Sequence, residues 1–490
     1  MTQQRARGRR ARLAVAAVAS LALLVASCSS SASDGTSSTT SKDTSKTTTT
    51  AAPSASKRAV KWMDGFKAPG TPAQYDKVGI LKVGAADAPN VLVLEPGTSA
   101  SAAYFVPLAQ DIVKAQPTWQ VWAVERRQNL LEDQSKLNAY KAGDITSTEL
   151  YDYYLGYLKD DSVTDHFKSI PDKTVEFAKQ WGLNVAIEDL HVVIDQAAKA
   201  GGKVVLGGHS LGGSVVTAYA TWDFDGKPGA DQLDGLVYID GGSRPTGATK
   251  AEATKALAGL NADTASPWLS FGGITAPYAG LFNSTGSLTA LHDPDTKSLG
   301  QASGLLPTNI VPPIPATNIG QYGYALNVGT SPPSLAAAQG HLGTGLTKDG
   351  GWNGDGAISP IKRFATMFSG DGIKDADGTE WYFPQRLTTD TSVVANGNAN
   401  PGQDVLDVHA TMGADLPKDL RIYAFGASLG GKGVTTTAQL LARQSGIADD
   451  HLTLVDRSNT YAHNDPAGAA PSNDFLDGLL PFLKQVGGGS

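Results

Sequence analysis

Two serines lie in nearly identical glycine-rich segments, and each could act as a nucleophile. GGHSLGG spans residues 207–213 and FGASLGG spans residues 425–431. In both segments glycines stand two residues before and two residues after the serine, and an apolar run typical of a strand comes first. Glycine is favoured there because a side chain would collide with neighbouring elements in a sharp turn that lifts a hydroxyl above a sheet edge. The pattern therefore makes Ser210 and Ser428 candidates for nucleophilic chemistry.

The segment around Ser210 resembles the nucleophile elbow of the α/β-hydrolase fold superfamily, in the GHSLGG form common in lipases and esterases. Gly208 and Gly212 are the elbow glycines in this resemblance, which covers the folded part of the chain except residues 243–418. The resemblance implies an α/β fold with a mostly parallel, doubly wound sheet and a large inserted cap. It also implies that Ser210 is the nucleophile and that the N–H of Leu211 is one donor to an oxyanion.

The second oxyanion donor is expected in the segment EPGTS, which follows the apolar run NVLVL. Many family members carry His-Gly here, but the loss of that histidine leaves a backbone donor, and we expect it to be the N–H of Thr98. Ser428 is the weaker candidate nucleophile because its strand lies two places from that of Ser210, roughly 10 Å away at about 4.8 Å per strand. We therefore expect Ser428 to pack the turn or to line the pocket.

A general base is expected late in the chain, since the resemblance implies the order serine, acid, histidine. His463, in NTYAHNDP, follows the last predicted strand on the edge where Ser210 emerges. The usual place of the acid, after the penultimate strand, is occupied by GASLGGKG, which has no carboxylate. Asp240, at the end of GLVYID, is the nearest substitute and could hold the imidazole in one tautomer. Asp456 and Glu125 are the alternative acids.

The N-terminal sequence predicts export. Five arginines precede an apolar run over residues 13–25, which has the length of a signal-peptide core and is short for a membrane span. The following segment, LVASCSS, contains Cys28, the one cysteine of the sequence, and resembles the lipobox of bacterial lipoproteins. The resemblance implies a signal peptide over residues 1–27 and a lipid on Cys28 that anchors an extracytoplasmic protein to the cell membrane. An ordinary secretory signal is the alternative. Residues 28–58 are rich in Ser and Thr and predict a disordered tether.

Strand and helix patterns alternate along residues 59–242 and again along residues 419–490, which predicts a parallel sheet in an α/β-hydrolase core. The run KVVLGG has no polar face, as expected of a strand that is covered on both sides. Residues 243–418 are instead rich in Gly, Pro, Asn, Thr and Ser, with scattered aromatic side chains. That stretch is too long for one loop and predicts an inserted cap or lid.

Charge and composition exclude some partners. The formal net charge is −7, and the sequence after the arginine-rich leader is more acidic still. Such a domain offers phosphates no excess of positive charge, which argues against nucleic-acid binding. The carboxylate-rich segment GDGIKDADGTEW over residues 370–381 lacks the ligand spacing of calcium loops and predicts solvated turns. We expect no cofactor and no metal.

These patterns predict an exported serine hydrolase that cleaves a small-molecule or lipid ester through an acyl-enzyme. Three alternatives stay open. An exopeptidase or amidase would use the same residues on a different bond, and an acyltransferase of envelope lipids would use them with a different acceptor. A non-catalytic lipoprotein would bind a ligand in a decayed hydrolase pocket, an interpretation that the missing carboxylate after the penultimate strand supports.

Overall fold

A computed structural model describes residues 58–488 and contains a large central sheet. Cys28 and the predicted leader and tether lie outside the described residues, which begin at Arg58. The eight strands of the sheet, in chain order, are β1 Lys61–Asp64, β2 Lys77–Val83, β3 Asn90–Glu95, β4 Trp119–Glu125, β5 Val204–His209, β6 Gly235–Ile239, β7 Arg421–Gly426 and β8 Leu452–Asp456. Their order across the sheet is β8-β7-β6-β5-β3-β4-β2-β1.

The sheet is parallel over most of its width. Strands β3 to β8 are parallel to one another, whereas β2 is antiparallel to β4 and β1 is antiparallel to β2. Strand β3 lies between β4 and β5, so the direction in which the chain adds strands reverses there. In open α/β sheets a ligand crevice forms at such a point, beyond the carboxyl ends of the strands. The prediction of a mostly parallel, doubly wound sheet is confirmed.

Helices lie between the strands, in two long connections and after the last strand. In chain order they are α1 Val106–Ala115, α2 Ser135–Ala142, α3 Ser147–Tyr154, α4 Leu183–Ala198, α5 Leu211–Ala220, α6 Lys250–Leu260, α7 Tyr278–His292, α8 Leu299–Ser303, α9 Asn318–Leu326, α10 Ile361–Ser369, α11 Gln385–Thr391, α12 Pro401–Leu406, α13 Gly431–Ser445, α14 Asp465–Gly468 and α15 Asp474–Val486. Within residues 58–488 no helix is both long enough and apolar enough to cross a membrane.

Helices cover both faces of the sheet and bury apolar side chains against it. In α4 buried side chains recur at three- and four-residue spacing, for example at Leu183, Ile187 and Leu190. This stripe packs with side chains of α5 and α13 on one face of the sheet. On the opposite face α1 and α15 contribute Ile112 and Phe482 to a second cluster. All six residues of β5 are buried, as expected for a strand between two helical layers.

A third apolar cluster joins the two long connections. It combines side chains from residues 131–185, which follow β4, with side chains from residues 268–288 and 381–382, which lie between β6 and β7. Helices α6 to α12 all lie within residues 243–418, the stretch that the sequence predicts as an inserted cap. Side chains of α6, α11 and α12 also join the cluster around α4 and α5. The boundaries between core and cap stay a prediction.

The carboxylate-rich segment at residues 370–381 does not consist of solvated turns, and that expectation was wrong. Asp377 and Glu380 are only 1% and 2% exposed. The Asp377 carboxylate accepts hydrogen bonds from the Thr379 N–H and hydroxyl and from two neighbouring side chains. These donors compensate the burial of an anion, which would otherwise be costly. Among the described residues, no group of three or more His, Cys, Asp or Glu is arranged to hold a metal ion.

Glu125, at the end of β4, is a buried carboxyl that has no ion pair with a cationic side chain of the described chain. Its oxygens accept hydrogen bonds from the Ala102 N–H at 2.8 Å and from the Asn129 side-chain amide at 2.7 Å. Burial disfavours the charged form and raises the pKa of Glu125 to about 8, although both hydrogen bonds act in the opposite direction. In the unfolded chain a glutamate titrates near its ordinary pKa of about 4.3.

We predict that Glu125→Gln becomes increasingly stabilising, relative to the wild type, as the pH rises. Between about pH 5 and about pH 8 the folded wild type keeps a proton on Glu125 that the unfolded chain releases, so wild-type stability falls with rising pH. The amide has no proton to lose, and Asn129 can turn its own amide to match it. Thermal melts of both proteins should differ little at about pH 5 and by several degrees at about pH 8. A difference that does not change with pH would contradict a protonated Glu125.

Candidate functional site

Ser210 lies in the tight turn between β5 and α5. Its backbone has φ 56° and ψ −125°, an uncommon conformation for a residue other than glycine. The turn is held because the Ser210 N–H donates to the Ile239 carbonyl of the adjacent strand at 3.0 Å. A Cβ on Gly208 would collide with the Gly212 carbonyl, and a Cβ on Gly212 would collide with the Glu95 carbonyl. Both elbow glycines are therefore required by contacts with backbone atoms.

The loop after β3 passes directly beside Ser210. A Cβ built on Gly97 would lie 2.8 Å from the Ser210 Cβ, so the loop backbone contacts the serine. Thr98 comes next, and its N–H has no hydrogen-bond acceptor among the described residues. Leu211 is the first residue of α5, where a backbone N–H has no partner within the helix. The structure thus places both predicted oxyanion donors next to Ser210, with neither N–H committed elsewhere.

His463 and Asp240 form a buried hydrogen-bonded pair. His463 Nδ1 is 2.6 Å from Asp240 Oδ2, and the two side chains are 1% and 0% exposed. Burial by itself would raise the pKa of Asp240, but hydrogen bonds from His463 and from backbone N–H groups outweigh it and lower that pKa. The carboxylate is therefore ionised, and it accepts a hydrogen bond from the Nδ1–H of His463. When the ring carries only this proton, Nε2 is the acceptor.

Ser210 and His463 line one cavity of about 170 Å³, which we call the site cavity. Much of its wall consists of apolar side chains on α7 and α9 and in the segments next to them, including Phe282, Tyr322 and Leu335. Among the described residues that line it there is no Asp, Glu, Lys or Arg. The Ser210 hydroxyl and the His463 ring are not hydrogen-bonded to each other in the described chain, and contacts of this kind often tighten only when a substrate binds.

The second glycine-rich segment surrounds the Asp240 carboxylate with backbone donors. The N–H groups of Ala427, Gly430 and Gly431 donate to Oδ1 at 2.7, 2.9 and 3.3 Å. The Leu429 N–H donates to Oδ2 at 3.2 Å. We call residues 427–431 the acid-holding turn. Because these donors converge on a buried anion, they both position Asp240 and compensate for its loss of water.

Ser428 has a different position from Ser210. Ser428 is exposed and does not line the site cavity. The expectation that it could line the pocket was therefore wrong. Its backbone N–H donates to the Tyr461 carbonyl at 2.9 Å and thereby connects the acid-holding turn to the loop that carries His463. The first copy of SLGG thus places the Ser210 side chain at the site cavity, and the second copy donates backbone N–H groups to the Asp240 carboxylate.

The alternative acids lie elsewhere. Asp456 accepts the Ser458 N–H at 3.0 Å, and Glu125 is bonded to the groups described above. Among the described residues neither carboxylate forms a hydrogen bond to the ring of His463. Of the three carboxylates that the sequence offered, the structure brings Asp240 to this histidine.

Three residues that the sequence analysis did not assign to the site hold the His463 loop. His209 Nε2 is 2.9 Å from the His463 carbonyl oxygen, which can only accept, so Nε2 carries the proton. Burial lowers the pKa of His209 to about 3 and keeps this ring neutral. Tyr104 stacks on His209 and donates to Asn464 Oδ1 at 2.9 Å. The histidine of GHSLGG was the available signal, and no pattern marked Tyr104 or Asn464.

The strand order, the elbow between β5 and α5 and the histidine loop after β8 define the α/β-hydrolase fold. An α/β-hydrolase fold protein from Nakamurella multipartita is similar to this chain at 13% identity and a TM-score of 0.39, over 88% of this chain and 100% of that one. A highly thermostable carboxyl esterase from Bacillus coagulans is similar at 12% identity and a TM-score of 0.37, over 87% and 99% of the two chains. A thioesterase domain from the curacin biosynthetic pathway is similar at 11% identity and a TM-score of 0.37, again over 87% and 99%. No family model and no curated protein matches the sequence.

We predict that Gly212→Ala destabilises the protein and that Gly433→Ala does not. Both glycines lie close to the start of a helix that begins within an SLGG segment. A Cβ on Gly212 would meet the carbonyls of Glu95 and Pro96, whereas nothing lies within 4 Å of a Cβ on Gly433. Thermal melts should show a loss equivalent to about 2 kcal/mol or more for Gly212→Ala. Gly433→Ala should give a gain of up to about 1 kcal/mol, because alanine favours helices. Equal melting temperatures would contradict the close approach at the elbow.

Proposed function

We propose that this protein is a serine hydrolase that cleaves carboxylic esters through an acyl-enzyme. One observation carries the proposal: Ser210 and His463 line the same cavity, and Nδ1 of His463 is bonded to the buried Asp240 carboxylate. An imidazole held in this tautomer can accept a proton from a serine hydroxyl. Because the α/β-hydrolase fold carries many functions, the proposal rests on this site and not on the fold.

In the first half-reaction Ser210 Oγ attacks the ester carbonyl carbon while its proton passes to His463 Nε2. The carbonyl π electrons move onto the oxygen, where the N–H groups of Thr98 and Leu211 stabilise the negative charge. The oxyanion then re-forms the carbonyl, the bond to the alcohol oxygen breaks, and His463 gives its proton to that oxygen. Asp240 stabilises the imidazolium between the two proton transfers.

In the second half-reaction a water molecule takes the place of the alcohol. His463 accepts a proton from this water as its oxygen attacks the acyl-enzyme carbonyl, and the same two N–H groups stabilise the new oxyanion. Collapse of this intermediate breaks the bond to Ser210 Oγ. His463 protonates that oxygen, and the carboxylic acid leaves with the serine restored.

The walls of the site cavity favour a neutral, largely apolar substrate. No Asp, Glu, Lys or Arg lines the cavity among the described residues. The α-ammonium or α-carboxylate of an exopeptidase substrate would enter it without an ion partner, and an unpaired charge in an apolar surrounding is very costly. A small-molecule or lipid ester avoids that cost, which makes it the favoured substrate class.

We predict that a fluorophosphonate probe labels the wild type and Ser428→Ala but not Ser210→Ala. The probe reacts with a serine that a base activates, and the exposed Ser428 side chain lies outside the site cavity. Hydrolysis of p-nitrophenyl esters should show the same pattern as the labelling.

Asp240→Asn should lower kcat by up to about 10⁴-fold, because the amide favours the wrong tautomer of His463.

Aminoacyl anilides, assayed beside p-nitrophenyl esters of apolar acids, separate the ester hydrolase from an exopeptidase. The esters should be cleaved faster by the wild type, and neither substrate by Ser210→Ala. Faster cleavage of the anilides would reverse the substrate assignment. A wild type that neither reacts with the probe nor hydrolyses any ester would rule out the hydrolase and favour a ligand-binding protein on the same fold.

We also propose that a lipid on Cys28 anchors the enzyme to the outer face of the cell membrane, because LVASCSS has the composition of a lipobox. We predict that Cys28→Ser moves the protein from the membrane fraction to the soluble fraction, with Ser210→Ala as a control that stays in the membrane. Mass spectrometry of the N-terminal peptide should find the lipid in the control and not in Cys28→Ser. An identical distribution of the two variants would overturn the anchor.

A further inference from the structure

Arg126 is a buried cation beside the loop that carries Thr98. It directly follows β4, and β4 pairs with β3, so Arg126 lies next to the point where the loop leaves the sheet. Its side chain is only 6% exposed. A guanidinium that loses its water must be compensated on all of its N–H groups, and the partners that compensate this one belong mainly to the loop and to the segment packed against it.

The guanidinium of Arg126 contacts two carboxylates and two consecutive carbonyls. Nε donates to Glu95 Oε1 at 2.8 Å, and Nη1 donates to Glu380 Oε2 at 2.8 Å. Nη1 also donates to the Gly97 carbonyl at 3.3 Å, and Nη2 donates to the Pro96 carbonyl. Arg126 thus fixes two successive carbonyls of the loop immediately before Thr98.

The bond to the Gly97 carbonyl controls the direction of the Thr98 N–H. The carbonyl of one residue and the N–H of the next belong to one planar peptide unit and point in opposite directions when that unit is trans. The Gly97–Thr98 peptide is not among the cis bonds of the described chain. With the Gly97 oxygen held toward Arg126, the Thr98 N–H points away from it. The same peptide lies against Ser210, as the close approach at Gly97 indicates.

Glu380 extends this support to the other side of Thr98. Its backbone N–H donates to the Ser99 carbonyl at 3.0 Å, while its side chain accepts from Arg126. The next residue of the loop, Ala100, forms an antiparallel bridge with Thr379. The carbonyls before and after Thr98 are therefore both bonded to groups that do not take part in the reaction.

We propose that Arg126 is a positioning residue that aims the Thr98 N–H at the oxyanion, with Glu380 and Glu95 as its counter-ions. The inference rests on the proposed function, since it concerns the charge that develops during ester cleavage. Arg126 does not line the site cavity, so it acts through the Thr98 peptide and not by contact with a substrate bound there. Its contribution appears when the carbonyl oxygen becomes negative, so it changes kcat more than KM.

The neighbouring residue supplies a matched control. Arg127 is also buried, and its guanidinium donates to Asp189, Asp76 and the Phe66 carbonyl, with no hydrogen bond to residues 96–99. Replacement of either arginine by lysine keeps the charge but loses the planar fork that makes several bonds at once. The two variants should therefore lose comparable stability, and only Arg126→Lys should disturb the Thr98 peptide.

We predict that Arg126→Lys lowers kcat for a p-nitrophenyl ester at least tenfold, toward the loss of about 10²-fold or more seen when an oxyanion donor is removed. KM should change less than about threefold. The inhibition constant of a trifluoromethyl ketone, which binds as a tetrahedral oxyanion, should rise by the same factor as kcat/KM falls. Arg127→Lys should keep kcat and the inhibition constant within about twofold of the wild type while losing a similar number of degrees in thermal melts.

If Arg126→Lys is too unstable to purify, Glu380→Gln tests the same support, because it keeps the backbone bond to Ser99 and removes the counter-ion. It should lower kcat severalfold with KM unchanged. Wild-type kcat in an Arg126→Lys variant that folds, or an equal loss of kcat in Arg127→Lys, would overturn the positioning role and leave the proposed function standing. A wild type without esterase activity would overturn both.

Discussion

The buried Asp240 carboxylate is the interaction on which the site depends. Burial removes the water that would hydrate this carboxylate. Instead it accepts hydrogen bonds from four backbone N–H groups of the acid-holding turn and from the imidazole of His463. An anion without such donors would be protonated or would unfold its surroundings. The donors come from two segments that are far from Asp240 in sequence. Their convergence therefore fixes the turn after β7 and the loop after β8 with respect to β6.

The same strand end also determines the position of the serine. Asp240 has φ 44°, and the next residue, Gly241, approaches so closely that a Cβ there would collide with the Ser210 carbonyl. The Ser210 N–H in turn donates to Ile239. The serine and the carboxylate are thus held by contacts between adjacent strand ends. The imidazole is held by the carboxylate, and the backbone carbonyl of His463 is held by His209. On this arrangement a substitution at one of the glycines disturbs several groups at once.

Much of the fold could be predicted because apolar residues recur along the sequence at the spacing typical of strands and helices. The strands and helices of the sheet and its two covering layers follow that spacing, as in α4 with Leu183, Ile187 and Leu190. Asp240 and His463 could be singled out because few carboxylates and histidines follow a strand at the right place. The acid-holding turn could not, since backbone N–H groups have no residue type that marks them. Arg126 and Glu380 resemble surface charges in sequence, and only their partners, which are distant along the chain, make them interior residues.

Because β6 and β7 are neighbours in the sheet, the stretch of chain between them can change in length without moving the strands. Gly235 to Ile239 pair residue by residue with Arg421 to Phe425, so the chain leaves the sheet after one strand and returns on the next, about 4.8 Å away. The entropy of closing such an excursion grows only with the logarithm of its length. Insertions and deletions that spare its buried side chains would therefore cost little free energy and leave the strand ends in register. The walls of the site cavity could then be remodelled in size while Ser210, Asp240 and His463 keep their geometry.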